Sequence, residues 1–296
     1  MDSALVLGLA AVSLSLYSNL RGHLKWTQCV SDQLIIAGFH RSGTSATAQL
    51  LHQAGLFLGY ELLEALPSNP YGHFEDREIV DLHHQILADN DLTWLVSEPF
   101  LPVVSQRRWE EMQRLIEHRN TEHSLWGFKD PRACLFLMLW KYLLPDAKVL
   151  LVYRHFSGST YSLARRHSTL LFSGTISGFL HRRFWEEPDL ALRMWLLYNK
   201  MLLAFARAYP QDTLAVSVDM LRDGFPLIWA IERRWNLGLE DVPVGEVFNP
   251  EATVFGPIRQ PVSDRRLIGE VEETWRALER LNAGTERMLK EAVVAG

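Results

Sequence analysis

The chain has 296 residues, 48% of them apolar and 22% charged, which is enough to bury a sizeable core and ordinary for a soluble globular protein. Thirty basic residues face 35 acidic ones, a balance that argues against general nucleic-acid binding. Two cysteines, Cys29 and Cys134, allow at most one bridge; Cys134 lies in an apolar helical run, so free thiols in a reducing compartment are expected.

In chain order, the first apolar run is 4–17 (ALVLGLAAVSLSLY). Fourteen residues are too few for an ordinary membrane span, and Asp2 is the only charge before them, so the positive start of a secretory signal is missing. Arg21, His23 and Lys25 follow, which suits a packed helix or one lying at a cytoplasmic membrane face. Residues 1–30 therefore read as an N-terminal extension and 31–296 as one domain, cytoplasmic, with peripheral membrane contact through 4–17 as the alternative to packing.

The stretch Leu34–Ser45 (LIIAGFHRSGTS) organises the rest. Leu34–Ala37 is a short buried strand; Gly38 and Gly43 bracket a loop; Thr44–Gly55 has helical spacing and stops at a glycine. A strand, a Gly-bounded loop and a helix N-terminus gather backbone N–H groups and positive partial charge into an oxyanion cradle. The glycines are separated as in G-x-x-x-x-G-K-[ST], but Thr44 stands where that motif has its phosphate-gripping Lys, and the cation sits inside the loop as Arg41. ATP hydrolysis is a poor expectation for such a loop.

Further on, 66–73 is a Pro/Gly-ordered loop, and Phe74–Leu87 resumes helical spacing. Glu75 and Asp76 read either as a solvated first turn or as carboxylates facing the loop mouth. Residues 89–109 look irregular, and Gln106–Arg119 reads as a charged surface helix. Leu125–Phe128 is a strand ending in Lys129-Asp130-Pro131-Arg132, with Pro131 expected in the first turn of a helix continuing through Ala133–Leu144. Lys148–Tyr153 and Thr213–Val218 are further apolar strands, and 264–294 a closing helix or helix pair. Strands alternating with helices call for a parallel sheet covered on both faces. His40-Arg41, Lys129-Asp130 and Arg154-His155 each follow an apolar strand, where open parallel sheets bind ligands. Between Lys148 and Trp185 there are six Lys/Arg and no acid, a local positive field suited to an anion. Arg165, Arg166, Arg182 and Arg183 within it read as a solvated basic face that an acidic acceptor could still use. Some of the ten Trp would suit an aromatic acceptor cleft, though core packing is the ordinary use of each.

The loop His40-Arg41-Ser42-Gly43-Thr44-Ser45 resembles the 5′-phosphosulfate loop of the sulfotransferases in its carbohydrate-type form. Arg154 and Ser162, eight residues apart at a strand end and in the next helix, resemble the family's 3′-phosphate site. Gly72-His73-Phe74-Glu75 is similar to a run in several carbohydrate sulfotransferases. The resemblance spans about Leu34 to Leu239. It implies an α/β fold with a parallel β-sheet flanked by helices, of the P-loop NTPase-like sulfotransferase kind. It further implies 3′-phosphoadenosine-5′-phosphosulfate (PAPS) as donor, a carbohydrate or glycoconjugate hydroxyl as acceptor, and no metal. Arg41 would stabilise the bridging oxygen, Lys129 would contact the sulfuryl group, and His40, Ser42, Gly43, Thr44, Ser45, Arg154 and Ser162 would hold the nucleotide. The cytosolic enzymes' Arg-Lys-Gly motif is absent, with Arg259 as a substitute. For the general base the candidates are Glu75, His73, Asp130 and His155, of which Glu75 is preferred; His73, Glu75, Asp130 and Arg132 would face the acceptor. A P-loop small-molecule or nucleotide kinase and a non-catalytic, membrane-associated nucleotide-binding protein are the alternatives.

Overall fold

A computed structural model describes residues 31–64, 72–172, 178–248 and 264–295. The 4–17 run, Cys29 and Arg259 lie outside them. The strands are β1 (Asp32–Ala37), β2 (Leu125–Lys129), β3 (Lys148–Tyr153) and β4 (Thr213–Ser217), in the order β2-β1-β3-β4. Every pairing is parallel, with Ile35 opposite Phe128 and Val149. All four carboxyl ends therefore open on one edge.

The continuous apolar runs are explained by burial on both faces. Ile35, Ala37, Val149 and Leu151 face one core layer, built largely from α2 (Arg77–Asp89), α3 (Gln106–Glu122), α4 (Ala133–Leu143) and α7 (Leu190–Ala208). Leu34, Ile36, Leu150 and Val152 face the other, against α1 (Thr44–Gln53), α8 (Val218–Arg222) and α9 (Leu227–Trp235). The alternation follows from the period-2 geometry of a strand. After β3 the chain enters α5 (Phe156–Phe172), which packs on α6 (Phe179–Glu186) and α7; Leu163 joins the first layer, and Phe156, Leu180 and Phe184 pack against it.

The C-terminal segment is one helix, α10 (Arg265–Ala295), and not a pair. It packs on α7 and on the edge strand β4, where Thr285 Oγ1 donates to the Ala215 carbonyl at 2.8 Å. This covers an edge that would otherwise be open to pairing. Two boundaries differ from the sequence reading. Pro131 lies in a turn ahead of α4, whose N-cap is Arg132, because the Asp130 carbonyl first accepts from Ala133 N at 3.0 Å. β4 stops at Ser217, whose side chain accepts from Met220 N and starts α8. Among the described residues no helix is long and apolar enough to cross a membrane.

Candidate active site

The loop between β1 and α1 is fixed by two close approaches. A Cβ on Gly38 would sit 2.1 Å from the Val152 carbonyl oxygen, and Gly43 has φ +88° with Val218 Cγ2 2.6 Å from where a Cβ would be. Only glycine fits both positions. Arg41 carries a left-handed φ of +64°, a conformation that costs free energy in a residue with a side chain. α1 begins at Gly43 with no side-chain cap and no acid in its first turn, so its positive end is left open toward the loop.

Two groups 121 residues apart meet here: Arg41 Nε donates to Ser162 Oγ at 3.0 Å. Arg154 Nη1 donates to the Arg41 carbonyl at 3.3 Å, and Arg154's own carbonyl accepts from Trp195 Nε1 at 3.2 Å. Ser42 Oγ lies 3.5 Å from Ser159 Oγ, one turn before Ser162. Burial, then the charges of Arg166 and Arg154, lower Arg41 to about 10, and burial likewise lowers Arg154. The charges of Arg154 and Arg166 thus both oppose that of Arg41.

The second half of the site is a closed ionic net. Glu75 is buried, not in a solvated first turn. Leu63 N donates to its carbonyl at 2.8 Å, and Leu62 bridges to Asp76, which pins the loop entering α2. Arg119 holds that junction, donating to Asp76 at 2.5 Å beneath the rings of Phe57, Tyr60 and Trp126. From this anchored loop Glu75 Oε1 accepts from Lys129 Nζ at 2.6 Å and Oε2 from Arg132 Nη2 at 3.3 Å. Lys129 Nζ also donates to Ser45 Oγ at 3.2 Å, which joins the net to the first turn of α1. Burial lowers the Lys129 ammonium, against the opposing pull of Glu75.

Behind Glu75, Arg132 Nε donates to both oxygens of Asp130, at 2.7 and 2.9 Å, and Arg132 Nη1 contacts His84 Nε2. Asp130 is fully buried and also accepts from His83 Nδ1 at 2.6 Å. Trp140 Nε1 donates to His83 Nε2 at 2.8 Å; a nitrogen that accepts carries no proton, so the proton of His83 is on Nδ1 and points at Asp130. Burial would push Asp130 up, yet the Arg132 charge and the His83 hydrogen bond hold it well below the usual carboxylate range. Asp130 therefore orients Arg132 and turns no oxygen toward an acceptor, contrary to its reading as an acceptor-binding residue.

His73 Nδ1 stands 4.0 Å from Glu75, and burial pushes His73 down to about 4. His40 is also held neutral by burial; its ring lies 5.0 Å from Trp94 and 5.7 Å from Tyr198. His155 turns away: its Nδ1 lies 2.7 Å from Ser157 Oγ, and its ring stands edge-on to Trp275 of α10 at 4.8 Å. Thr44 is buried, with its Cγ2 2.7 Å from where a Gly38 Cβ would be, so it fills the space behind the loop. The structure thus brings together Arg41, Ser42, Ser45, Glu75, Lys129, Arg132, Arg154 and Ser162, with His73 beside Glu75.

Sequence reasoning missed Ser159, His83 and Trp94, and named Arg166 only as part of a basic face. Ser159, Ser162 and Arg166 fall at i, i+3 and i+7 on one helix, a spacing that shares a face with the predicted Ser162 and could have singled them out. His83 and Trp94 carry no comparable local signal. Among the described residues no three His, Cys, Asp or Glu side chains gather as a metal-ligand group.

No protein-family model and no curated protein matches the chain. Among solved structures it is similar to the crystal structure of sulfotransferase STF1 from Mycobacterium tuberculosis H37Rv, at 16% identity and a TM-score of 0.40, covering 94% of this chain and 84% of that one. A likeness at that level carries no functional argument, and the case for function rests on the residues.

Proposed function

We propose that the chain transfers the sulfuryl group of PAPS to an acceptor hydroxyl on a carbohydrate or glycoconjugate, with residues 31–296 acting as one catalytic domain. The observation that carries this reading is the contact of Arg41 with Ser162 and Arg154. It joins a 5′-phosphate loop to a candidate 3′-phosphate site, and a nucleotide bearing phosphates on both faces of one ribose needs two such sites side by side. The cations there repel one another and gain from an anion that fits between them.

Transfer is in-line. The acceptor oxygen forms a bond to sulfur as the bond from sulfur to the bridging phosphate oxygen breaks, and that oxygen leaves with the electron pair on 3′-phosphoadenosine-5′-phosphate (PAP). Arg41 and the amides at the start of α1 stabilise the charge that builds there. Lys129, between Ser45 and Glu75, meets the sulfuryl oxygens. Glu75 takes the hydroxyl proton, held in place from behind by Arg132 and Asp130.

The test is calorimetry with PAP against ATP–Mg²⁺, followed by a radiolabelled sulfate-transfer screen over saccharide, glycolipid and phenol acceptors. Tight PAP binding with transfer to a saccharide is the expected result. Preference for ATP–Mg²⁺ would replace the reading with a kinase, and PAP binding without transfer to any acceptor would replace it with a nucleotide-binding protein.

A further inference from the structure

The four arginines that the sequence groups into one basic face separate in the structure. Arg165 and Arg182 are exposed, and Arg183 is paired with Glu187 at 2.5 Å. Arg166 instead lies one turn beyond Ser162 on the same side of α5. It is half-buried, and its Nε is enclosed without a hydrogen-bond partner among the described residues. Its charge reaches across the cleft, lowering His40, Arg41, His73, His167 and His181. The acid it feels is Glu75, whose two oxygens already accept from Lys129 and Arg132. A half-buried guanidinium with an enclosed, unpartnered Nε and no carboxylate of its own gains from an anion that completes it.

Arg166 also stands near Arg41 of the donor loop, whose group its charge lowers, but four residues of helix place its backbone about 6 Å beyond Ser162, where α5 packs on α6. The His167 ring is stacked on Phe184 at 4.6 Å and lies 5.2 Å from Trp94, and His167 Nδ1 is 2.6 Å from His181 Nδ1. Burial keeps both of these histidines neutral near pH 7 by lowering them. Trp94, His167 and Phe184 thus form an uncharged aromatic cluster beside one guanidinium, and its half-buried members, Trp94 and Phe184, are of the kind on which the C–H face of a pyranose stacks.

We infer that the acceptor is a saccharide bearing its own anionic group, a carboxylate or a sulfate ester, which Arg166 grips while a neighbouring hydroxyl lies at Glu75. This rests on the sulfuryl-transfer reading and names the acceptor class within it. A planar fork suits either anion in bidentate fashion, which is why both belong to the same chemistry.

The experiment uses the full chain and begins with a PAP titration, then measures binding of three glycosides to the PAP-loaded protein: 4-nitrophenyl β-glucoside, its glucuronide, and its 6-sulfate. At least one anionic glycoside should bind roughly tenfold to a hundredfold more tightly than the glucoside, the range of one charged hydrogen-bonded contact. The arm that gains identifies carboxylate or sulfate as the group recognised. Arg166→Gln should erase the preference, Arg166→Lys should keep part of it, and all three proteins should bind PAP within about twofold of one another, which also shows that the variants are folded. Equal binding of the three glycosides by the unaltered protein overturns the inference, as does a preference that survives Arg166→Gln. Loss of PAP affinity in Arg166→Gln on the scale of the glycoside loss would move Arg166 to the donor and overturn it too. Failure of the unaltered protein to bind PAP appears in the first titration, before any glycoside is added, and sinks the sulfuryl-transfer reading itself.

Discussion

Replacing Glu75 by glutamine separates the chemistry of the site from its scaffolding. As the base, Glu75 receives the acceptor proton while the sulfur–oxygen bond forms. An amide cannot, so kcat should fall by ~10²–10⁴-fold. The same change perturbs the ionic net. Glu75 offers one oxygen to Lys129 at 2.6 Å and the other to Arg132 at 3.3 Å, and glutamine can keep only one acceptor. The shorter Lys129 contact should retain it, leaving the amide N–H₂ against Arg132, which keeps both Asp130 oxygens. Removing one partner from a buried pair costs ~3–5 kcal/mol, and Arg132's remaining partner places this case at the lower end. For a chain of this size that is a fall in Tm of roughly 6–12 °C.

PAP affinity should be nearly unchanged, because PAP lacks the sulfuryl group and Glu75 does not touch the phosphate loop. The assays are radiolabelled sulfate transfer well below the variant's Tm, a thermal melt, and PAP calorimetry on the same preparation. Turnover within tenfold of the parent, with a collapse in His73→Ala instead, would refute the reasoning and transfer the role to the histidine 4.0 Å away. A large loss of PAP affinity would show Glu75 to be supporting the loop and not serving the acceptor.

Arg41→Ala should abolish turnover, since a charge contact to the leaving oxygen is typically worth ~2.7–4 kcal/mol; a variant keeping more than about a tenth of the parent rate counts against the assignment. Arg154→Ala should weaken PAP roughly tenfold to a hundredfold and leave ATP, which lacks the 3′-phosphate, almost untouched; equal losses in calorimetry would mean that Arg154 supports the fold. Stability should fall on acidification. Burial holds His73 at about 4 and His167 at about 3, against 6.5 in the unfolded chain, so the unfolded state takes up these protons first. Their contribution is fully present above pH 6.5 and is lost as the pH falls through 4 and then 3; Tm measured from pH 7 to 4 should drop less steeply in His73→Asn and His167→Asn, and unchanged slopes in both variants would refute it.

The four strands were legible because each is an apolar run buried on both faces, and a run such as Lys148–Tyr153 has no other economical use in a mixed chain. The loop between β1 and α1 was legible for a local reason as well: two glycines and an internal arginine fall within six residues. What escaped was whatever depends on pairs distant in sequence. Glu75 was read either as a solvated first-turn acid or as a carboxylate at the loop mouth, and no local spacing reveals that Lys129, 54 residues on, holds one of its oxygens. Asp130 was read as a candidate base facing the acceptor; its contacts to His83 and, through it, Trp140 escaped because no spacing in the sequence links those two to it. Arg166 was grouped with three other arginines as a solvated basic face that an acidic acceptor could still use; that its Nε is enclosed while Arg165 and Arg182 are exposed depends on how α5 packs on α6 and α7, which charge composition does not contain.

The two halves of the site are built on opposite electrostatic plans, and the difference follows from what each has to do. Around Arg41 cations crowd together: burial and the charges of Arg166 and Arg154 lower Arg41, burial and Arg222 lower Arg154 against the pull of Asp219, and Arg41 is held in a costly left-handed backbone. Such an arrangement is unfavourable by itself and improves when an anion arrives, so its free energy is available for binding. Around Glu75 every charge already has its counter-charge: Lys129 and Arg132 on the carboxylate, Asp130 on Arg132, His83 on Asp130. That half gains little from a further charge and instead fixes one carboxylate to within a hydrogen bond of the loop. Lys129 belongs to both, bonded to Ser45 on one side and Glu75 on the other. A group entering from the loop side with negative oxygens would compete with Glu75 for this ammonium. Each increment of Lys129 drawn toward it loosens the carboxylate's hold on its own partner and leaves Glu75 freer to accept a proton. On the proposed reading, donor binding and activation of the base are thereby coupled through one buried lysine.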